Sequence, residues 1–597
     1  MSARTNTFLA VMATGLILVT CGPSSAQQSP LSMVPAKTPL LIQLHGWERS
    51  QERMKATIKA GLGEFAPVVT TGMENSLNGL LQGRELKGLA QDGPVFVVFT
   101  ELPNPESEVP EMAVVARVTN YVQFRDNLLK DDEKSELKAE KDGIEATKIN
   151  GMKVYFVSKD DFAIFSPSEK AIKLLVDKKT EAMAGKLDQA GERALLNPDF
   201  AALLDVRALR KMYGDKINDA KGFLDQAMQQ AQAFGGVDKE QLEAAKKLIE
   251  GVFQIVDDAD SLLASADFRP EGLMLHFHTH FAEKSKVNDF LKTMKPAHLA
   301  GLAKLPRSQL TYTSSSGSFS LLQGLSGSAF GLGGGASDGK ENKAYQEAVE
   351  ALGKLKSENT SGSSDFPAAG LQVTQYADAA KASELTLKMF QAVPEGGAFA
   401  GTVLKGKPKI HADAKKVGEL SLHSVELTWD LDKAVERFPE EIRDAMKESL
   451  KKMLGSEMRI WFGSTGKLLL QVTAKNWESA SKTLDSFLSG SKAVGKEEGY
   501  ADVRKVLPAE SSMLTLIDAG RLGYFIAQYG SEVLKNFPGF PGQLLAEPKM
   551  PEGKPSFIGI AVTLKPQNGS LDIWLPAAGV NAIVRVLAPL FNGLGGE

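Results

Sequence analysis

The stretch Met274–Met294, MLHFHTHFAEKSKVNDFLKTM, decides how the rest of the chain is read. Its first part alternates, with Leu275, Phe277 and Phe281 on one side and His276, His278 and His280 on the other. That is the two-residue period of a strand with one buried face. A short polar break follows, then Val287, Phe290, Leu291 and Met294 at the three- and four-residue spacing of an amphipathic helix. Variants of this strand-plus-helix unit recur along the chain.

Working outward, Leu262–Phe268 reads as the preceding strand and Arg269-Pro270-Glu271-Gly272 as the turn between them. A long helical region, about Lys216–Ile255 with a break at Gly235-Gly236, lies further upstream. Before it come strands at Leu40–Leu44, Pro94–Phe99 and Met112–Val118, and helices at Trp47–Leu62 and Tyr121–Leu129. A hairpin turns at Asn150-Gly151 and is followed by Phe162–Phe165 and a helix opened by Ser166-Pro167-Ser168-Glu169. Downstream a similar order begins again. Leu305-Pro306 echoes Val34-Pro35, Leu371–Phe390 echoes Val114–Leu129, and Leu514–Tyr529 parallels Leu203–Tyr213. Phe557–Leu564, the turn Lys565-Pro566-Gln567-Asn568-Gly569, the strand Leu571–Leu575 and the helix Gly579–Leu590 match Leu262–Met294. This order implies a tandem duplication. The expected fold is α+β, two similar domains (34–296 and 297–597) of antiparallel or mixed sheets with helices packed on one face. The Ser/Gly-rich stretches Thr313–Gly339 and Ser357–Ser364 read as mobile loops. The Pro/Gly-interrupted apolar segment Asn536–Leu545 reads as a loop tucked against its own domain or, alternatively, as a partner-binding edge.

Composition narrows the function. The chain has 597 residues, 43% hydrophobic and 24% charged, enough apolar material for large cores. Its 69 basic and 73 acidic residues give a formal net charge of -4, so no basic field attracts nucleic acid. Arg4 followed by the uncharged Phe8–Thr20, with small residues at Ser24 and Ala26, reads as a signal peptide (1–26) and implies export. Residues 27–33 are a linker. The single cysteine, Cys21, follows Leu18-Val19-Thr20 in a lipobox-like setting, although threonine stands where that motif has Gly, Ala or Ser. Soluble release and lipid anchoring through Cys21 are the two alternatives. No later apolar run has the length of a membrane span.

The one constellation that can carry chemistry is the histidine strand. Residues two apart on a strand lie about 7 Å apart at Cα, a spacing at which His276 and His278 could share a zinc ion. The outer pair, at about 13 Å, could not. A site needs a third ligand, for which Glu271 or Asp267 are the nearest candidates. The competing reading is a solvent-facing strand surface. Other motifs fail on spacing. Gly463-Ser464-Thr465-Gly466-Lys467 lacks the four residues between the glycines of a phosphate loop, and Leu468 stands where Ser or Thr would bind magnesium. Gly331–Gly335 follows no strand, and neither a Gly-x-Ser-x-Gly elbow nor a His-Glu-x-x-His helix occurs. No cofactor is expected.

The lead-in Val34-Pro35-Ala36, the run Gly143–Leu175 and the restart Leu507-Pro508-Ala509 resemble large exported bacterial proteins with an uncharacterised α+β domain. That resemblance implies an extracytoplasmic protein and carries over no catalytic residue. The expectation is a non-enzymatic exported binding or scaffold protein of the cell envelope, its partner a protein or another envelope component. The alternative is a metal-binding or metal-dependent hydrolytic protein using the His276/His278/His280 strand.

Overall fold

The computed structural model describes residues 29–103, 110–233, 239–317, 343–365, 369–399, 402–436, 438–535 and 547–592. The leader with Cys21, the Gly235-Gly236 break, most of the segment 313–339 and the loop 536–545 lie outside them. The protein is α+β with a large antiparallel sheet.

The chain folds as two compact units, Met1–Gln43 with Arg84–Asn197, and Leu44–Gly83 with Pro198–Glu597. The first contains β1 (Leu40–His45, whose last two residues belong to the larger unit), β2 (Pro94–Phe99), β3 (Met112–Arg117), β4 (Lys138–Ala139), β5 (Glu145–Ile149), β6 (Met152–Lys159) and β7 (Phe162–Ser166). They are ordered β4–β5–β6–β7–β3–β2–β1. In β2 the buried Phe96 and Val98 alternate with half-buried neighbours, as the pattern PVFVVF requires. Asn150 and Gly151 both adopt positive φ, which lets β5 turn directly into β6. The helix Tyr121–Leu128 lays Phe124 and Leu128 on Phe156 and Ala163. Its N-cap is Asn120, and the cap of Glu169–Val176 is Ser168, each accepting a backbone N–H from the first turn.

The larger unit contains β8 (Phe200–Asp205), β9 (Ala259–Arg269), β10 (Gly272–Phe281), β11 (Thr311–Ser316), β12 (Ser357–Asp365), β13 (Ala369–Tyr376), β14 (Ala398–Phe399), β15 (Thr402–Val403), β16 (Lys409–Val417), β17 (Leu420–Thr428), β18 (Glu457–Thr465), β19 (Leu468–Ala474), β20 (Met513–Asp518), β21 (Phe557–Lys565) and β22 (Asn568–Pro576). Apart from the β14–β15 ribbon they follow one antiparallel order, β8–β9–β10–β22–β21–β20–β11–β12–β13–β19–β18–β17–β16. The run from β16 to β11 repeats the strand order of the smaller unit, strand for strand. The hairpin β9–β10 meets the hairpin β21–β22 through the β10–β22 pair. The lead-in is repeated as well. Pro35 bridges to Ala182 in the smaller unit and Pro306 to Ala493 in the larger. Met183 N donates to Val34 O at 2.7 Å, and Val494 N to Leu305 O at 2.8 Å.

Three expectations are corrected. Ser357–Ser364 is no loop but most of β12, in the interior of the sheet between β11 and β13. Its small side chains pair across strands, Ser314 Oγ with Ser361 Oγ at 2.8 Å and Thr311 Oγ1 with Ser364 Oγ at 2.5 Å. The Ser314–Ser361 pair satisfies two buried hydroxyls that are otherwise costly to bury, while the Thr311–Ser364 pair is exposed. The helices do not keep to one face. Phe390 of Ala379–Gln391 joins Ile460 and Phe462, while Ala480 and Leu484 of Trp477–Ser489 join Trp461 on the opposite side of β18. Nor does Gly463-Ser464-Thr465-Gly466 form one turn, because its first three residues lie in β18. The outermost described strand, β16, is largely exposed, and its register with β17 slips between His411 and Lys415.

Candidate functional site

The histidine strand lies inside the sheet, with β9 on one side and β22 on the other. His276 faces Asp572, His278 faces Ser570 and His280 faces Asn568. Nδ1 of His276 meets Oδ1 of Asp572, and Nδ1 of His280 lies 3.2 Å from Oδ1 of Asn568. The His276 and His278 rings stack with centroids 6.3 Å apart and planes 13° from parallel. The His276 side chain keeps 29% of its exposure and that of Asp572 only 9%, and Leu275 and Phe277 on the other face are half-buried like the histidines. Oδ2 of Asp572 is buried and has no hydrogen-bond partner among the described residues. Phe281 is buried as expected, with Val206, Ala259 and Leu291.

A carboxylate on Nδ1 fixes the imidazole and leaves Nε2 available, the arrangement that commonly supports a metal ligand. The third ligand is not in place. Asp267 is held by Arg53 Nη2 at 2.8 Å and by Arg269 Nε at 2.6 Å. Among the described residues, no group of three or more His, Cys, Asp or Glu side chains is placed to hold a metal ion. Sequence reading missed Asp572, because its partner lies in the other half of the chain and no local motif joins them. The match between the two proline turns was the available signal.

A second site is an open cleft of about 990 Å³ in the larger unit. Its base is the start of β11 and the end of β20, its walls the starts of the helices Ala519–Lys535 and Ala577–Asn592, and its rim the proline-rich stretch 547–556. Tyr312 is buried there, edge-on to Phe557 at 5.7 Å, and its hydroxyl accepts a hydrogen bond from Gln309 N at 3.0 Å. Burial pushes the Tyr312 phenol well above its ordinary pKa. Asp518 caps the helix by accepting from Arg521 N at 3.2 Å. Burial also raises the Asp518 carboxyl, against the pull of the Arg521 backbone and guanidinium. Arg521 reaches Asp365 at 3.2 Å and Asp518 at 3.7 Å, and Arg307 reaches Glu497 at 3.4 Å. Asn581 and Arg585 line the opposite wall. The cleft therefore presents fixed charges of both signs around a buried aromatic floor. The sequence reading missed it because its lining comes from stretches far apart in the chain.

No protein-family model, curated protein or solved structure matches the chain, so the resemblance to exported bacterial proteins rests on the residues quoted for it. Among the described residues, no helix is long and apolar enough to cross a membrane.

Proposed function

We propose that this is an exported, non-enzymatic binding or scaffold protein of the bacterial cell envelope, built by tandem duplication of an α+β unit. The repeated strand order and the repeated proline lead-in support the duplication. The observation that carries the binding reading is the cleft around Tyr312. Arg521, Asp518, Arg307 and Glu497 are held there by one another, an arrangement suited to recognising a polar partner through preset charges. The leader sequence supports export, with release after Ala26 or anchoring through Cys21 as the two forms.

The test is capture from envelope extracts with the full mature chain and with Arg521→Glu/Arg585→Glu. One component retained reproducibly by the wild type and lost by the variant supports the reading. The same recovery with both proteins, or none with either, overturns it. Intact mass of the mature protein separates a chain beginning at Gln27 from one carrying lipid on Cys21.

A further inference from the structure

Two hairpins meet side by side in the sheet of the larger unit. In β9–β10 Arg269 pairs with Gly272, and in β21–β22 Lys565 pairs with Asn568, each around a proline turn. Aligning Arg269-Pro270-Glu271-Gly272 on Lys565-Pro566-Gln567-Asn568 makes Met274 the counterpart of Ser570, His276 of Asp572, His278 of Trp574 and His280 of Pro576. Contacts further back agree with this alignment. Phe268 N donates to Asp199 Oδ2 at 2.7 Å, and its counterpart Leu564 N donates to Ser512 Oγ at 3.0 Å. His45 N donates to Asp199 O at 3.0 Å, and Ser316 N to Ser512 O at 2.9 Å.

The same strands also pair with each other. Their register joins Gly272 to Pro576, Met274 to Trp574, His276 to Asp572, His278 to Ser570 and His280 to Asn568. Any antiparallel register is unchanged when every residue is exchanged for its counterpart, so what the alignment fixes is where the centre of the pairing falls. Met274–Trp574 becomes Ser570–His278, and Gly272–Pro576 becomes Asn568–His280. Only His276–Asp572 maps onto itself.

We propose that β10 and β22 form a self-association surface captured within one chain, with a pseudo-two-fold axis through His276–Asp572. The partner that each closing strand fits is a copy of itself. Two matching strands that adjoin antiparallel about a central pair make an isologous contact, in which residue i meets j and j meets i. On a true axis the central pair is two identical side chains. Two aspartates there would place like charges opposite each other in a nearly buried position, a destabilising arrangement. Joining the copies in one chain removes the identity constraint and allows a histidine to answer the buried carboxylate. His278–Ser570 and His280–Asn568 continue the polar pairing along the seam. The proposal rests on the duplicated architecture and not on the cleft, so the capture experiment and the following one fail independently.

The test is hydrogen exchange, read by mass spectrometry on the full chain, for His276→Asp, Asp572→His and the double exchange. Each single variant is expected to speed exchange in both closing strands by roughly tenfold or more, as when a buried polar group loses its partner. The double variant re-forms the pair with its members reversed. Because the surroundings are related by the axis, it should return exchange to within roughly twofold of wild type, the usual error of additivity. A double variant that exchanges as fast as the worse single one overturns the proposal. If a single variant fails to fold, His276→Asn with Asp572→Asn puts one residue type on both sides of the axis. Equal protection of the two closing strands supports the axis, and loss of protection in one strand alone overturns it.

Discussion

The strongest electrostatic statement at the scale of single residues is the Arg84–Glu133 pair in the smaller unit. The two side chains keep 8% and 7% of their exposure and meet through two contacts, at 2.5 and 2.7 Å. Glu133 also accepts from Lys130 N at 2.9 Å, which closes the turn Asp131–Ser135, and Arg84 donates to Leu128 O at 2.9 Å. The Arg84 hydrogen bond is the main reason that the Glu133 carboxyl is held down, to about 2. A folded pKa below the unfolded one gives stability that is present above the ordinary carboxyl range and is lost as pH falls through the folded value. Arg84→Met is expected to cost about 3–5 kcal/mol at neutral pH, because it strands a buried carboxylate. The stability gap between wild type and Glu133→Gln, read from urea midpoints, should be widest near pH 7 and narrow as the pH is lowered from about 4.5 towards 2. At this scale the local roles are legible in the chain. Ser168, Asn120, Asp378 and Asn476 all cap the helices that follow them, as their positions before an amphipathic run imply. Arg84–Glu133 and His276–Asp572 are not legible, because no periodicity links residues brought together only by the sheet.

At the scale of elements, the quartet Gly463-Ser464-Thr465-Gly466 separates two reasons for glycine. Gly463 lies within β18, where an added Cβ would run into the carbonyl oxygen of Ser421. Gly466 turns the chain at φ +55, with nothing near its missing side chain. Gly463→Ala should cost about 1–3 kcal/mol through overpacking. Gly466→Ala should cost about 1–2 kcal/mol through backbone strain alone. In denaturant unfolding, moving Leu422 aside by the truncation Leu422→Ala should leave the Gly466 penalty unchanged. The Gly463 penalty should change, because the Leu422 side chain also lies 3.2 Å from that added atom. Periodicity placed Trp47–Leu62 and Pro94–Phe99 to the residue. It failed for β12, because serine and glycine look alike in loops and in strands whose hydroxyls pair across a sheet. It also passed over Ala66–Leu81, which is mostly exposed and carries no sustained apolar stripe.

At the scale of the whole molecule, strand order in the larger unit predicts a gradient of protection. Amides of β20, β11 and β12 lie between paired neighbours on both sides and should exchange slowly, while those of β16 should exchange early. Slow exchange across 357–365 confirms the Ser-rich stretch as interior strand, and rapid exchange refutes it. The α+β class could be read from the chain, since it rests on local patterns. The division into compact units could not, because it depends on which strands become neighbours, and pairings between distant segments leave no spacing to count.

The far strand of this order, β16, carries Lys409, Lys415 and Lys416 and loses register partway along its length. A sheet that can extend by adding like strands invites polymerisation into fibres, one chain templating the next. Crowded ammonium groups and a broken ladder make β16 a poor template. Replacing Lys409, Lys415 and Lys416 with threonine should therefore leave the fold intact and convert a dispersed protein into one whose light scattering grows with concentration.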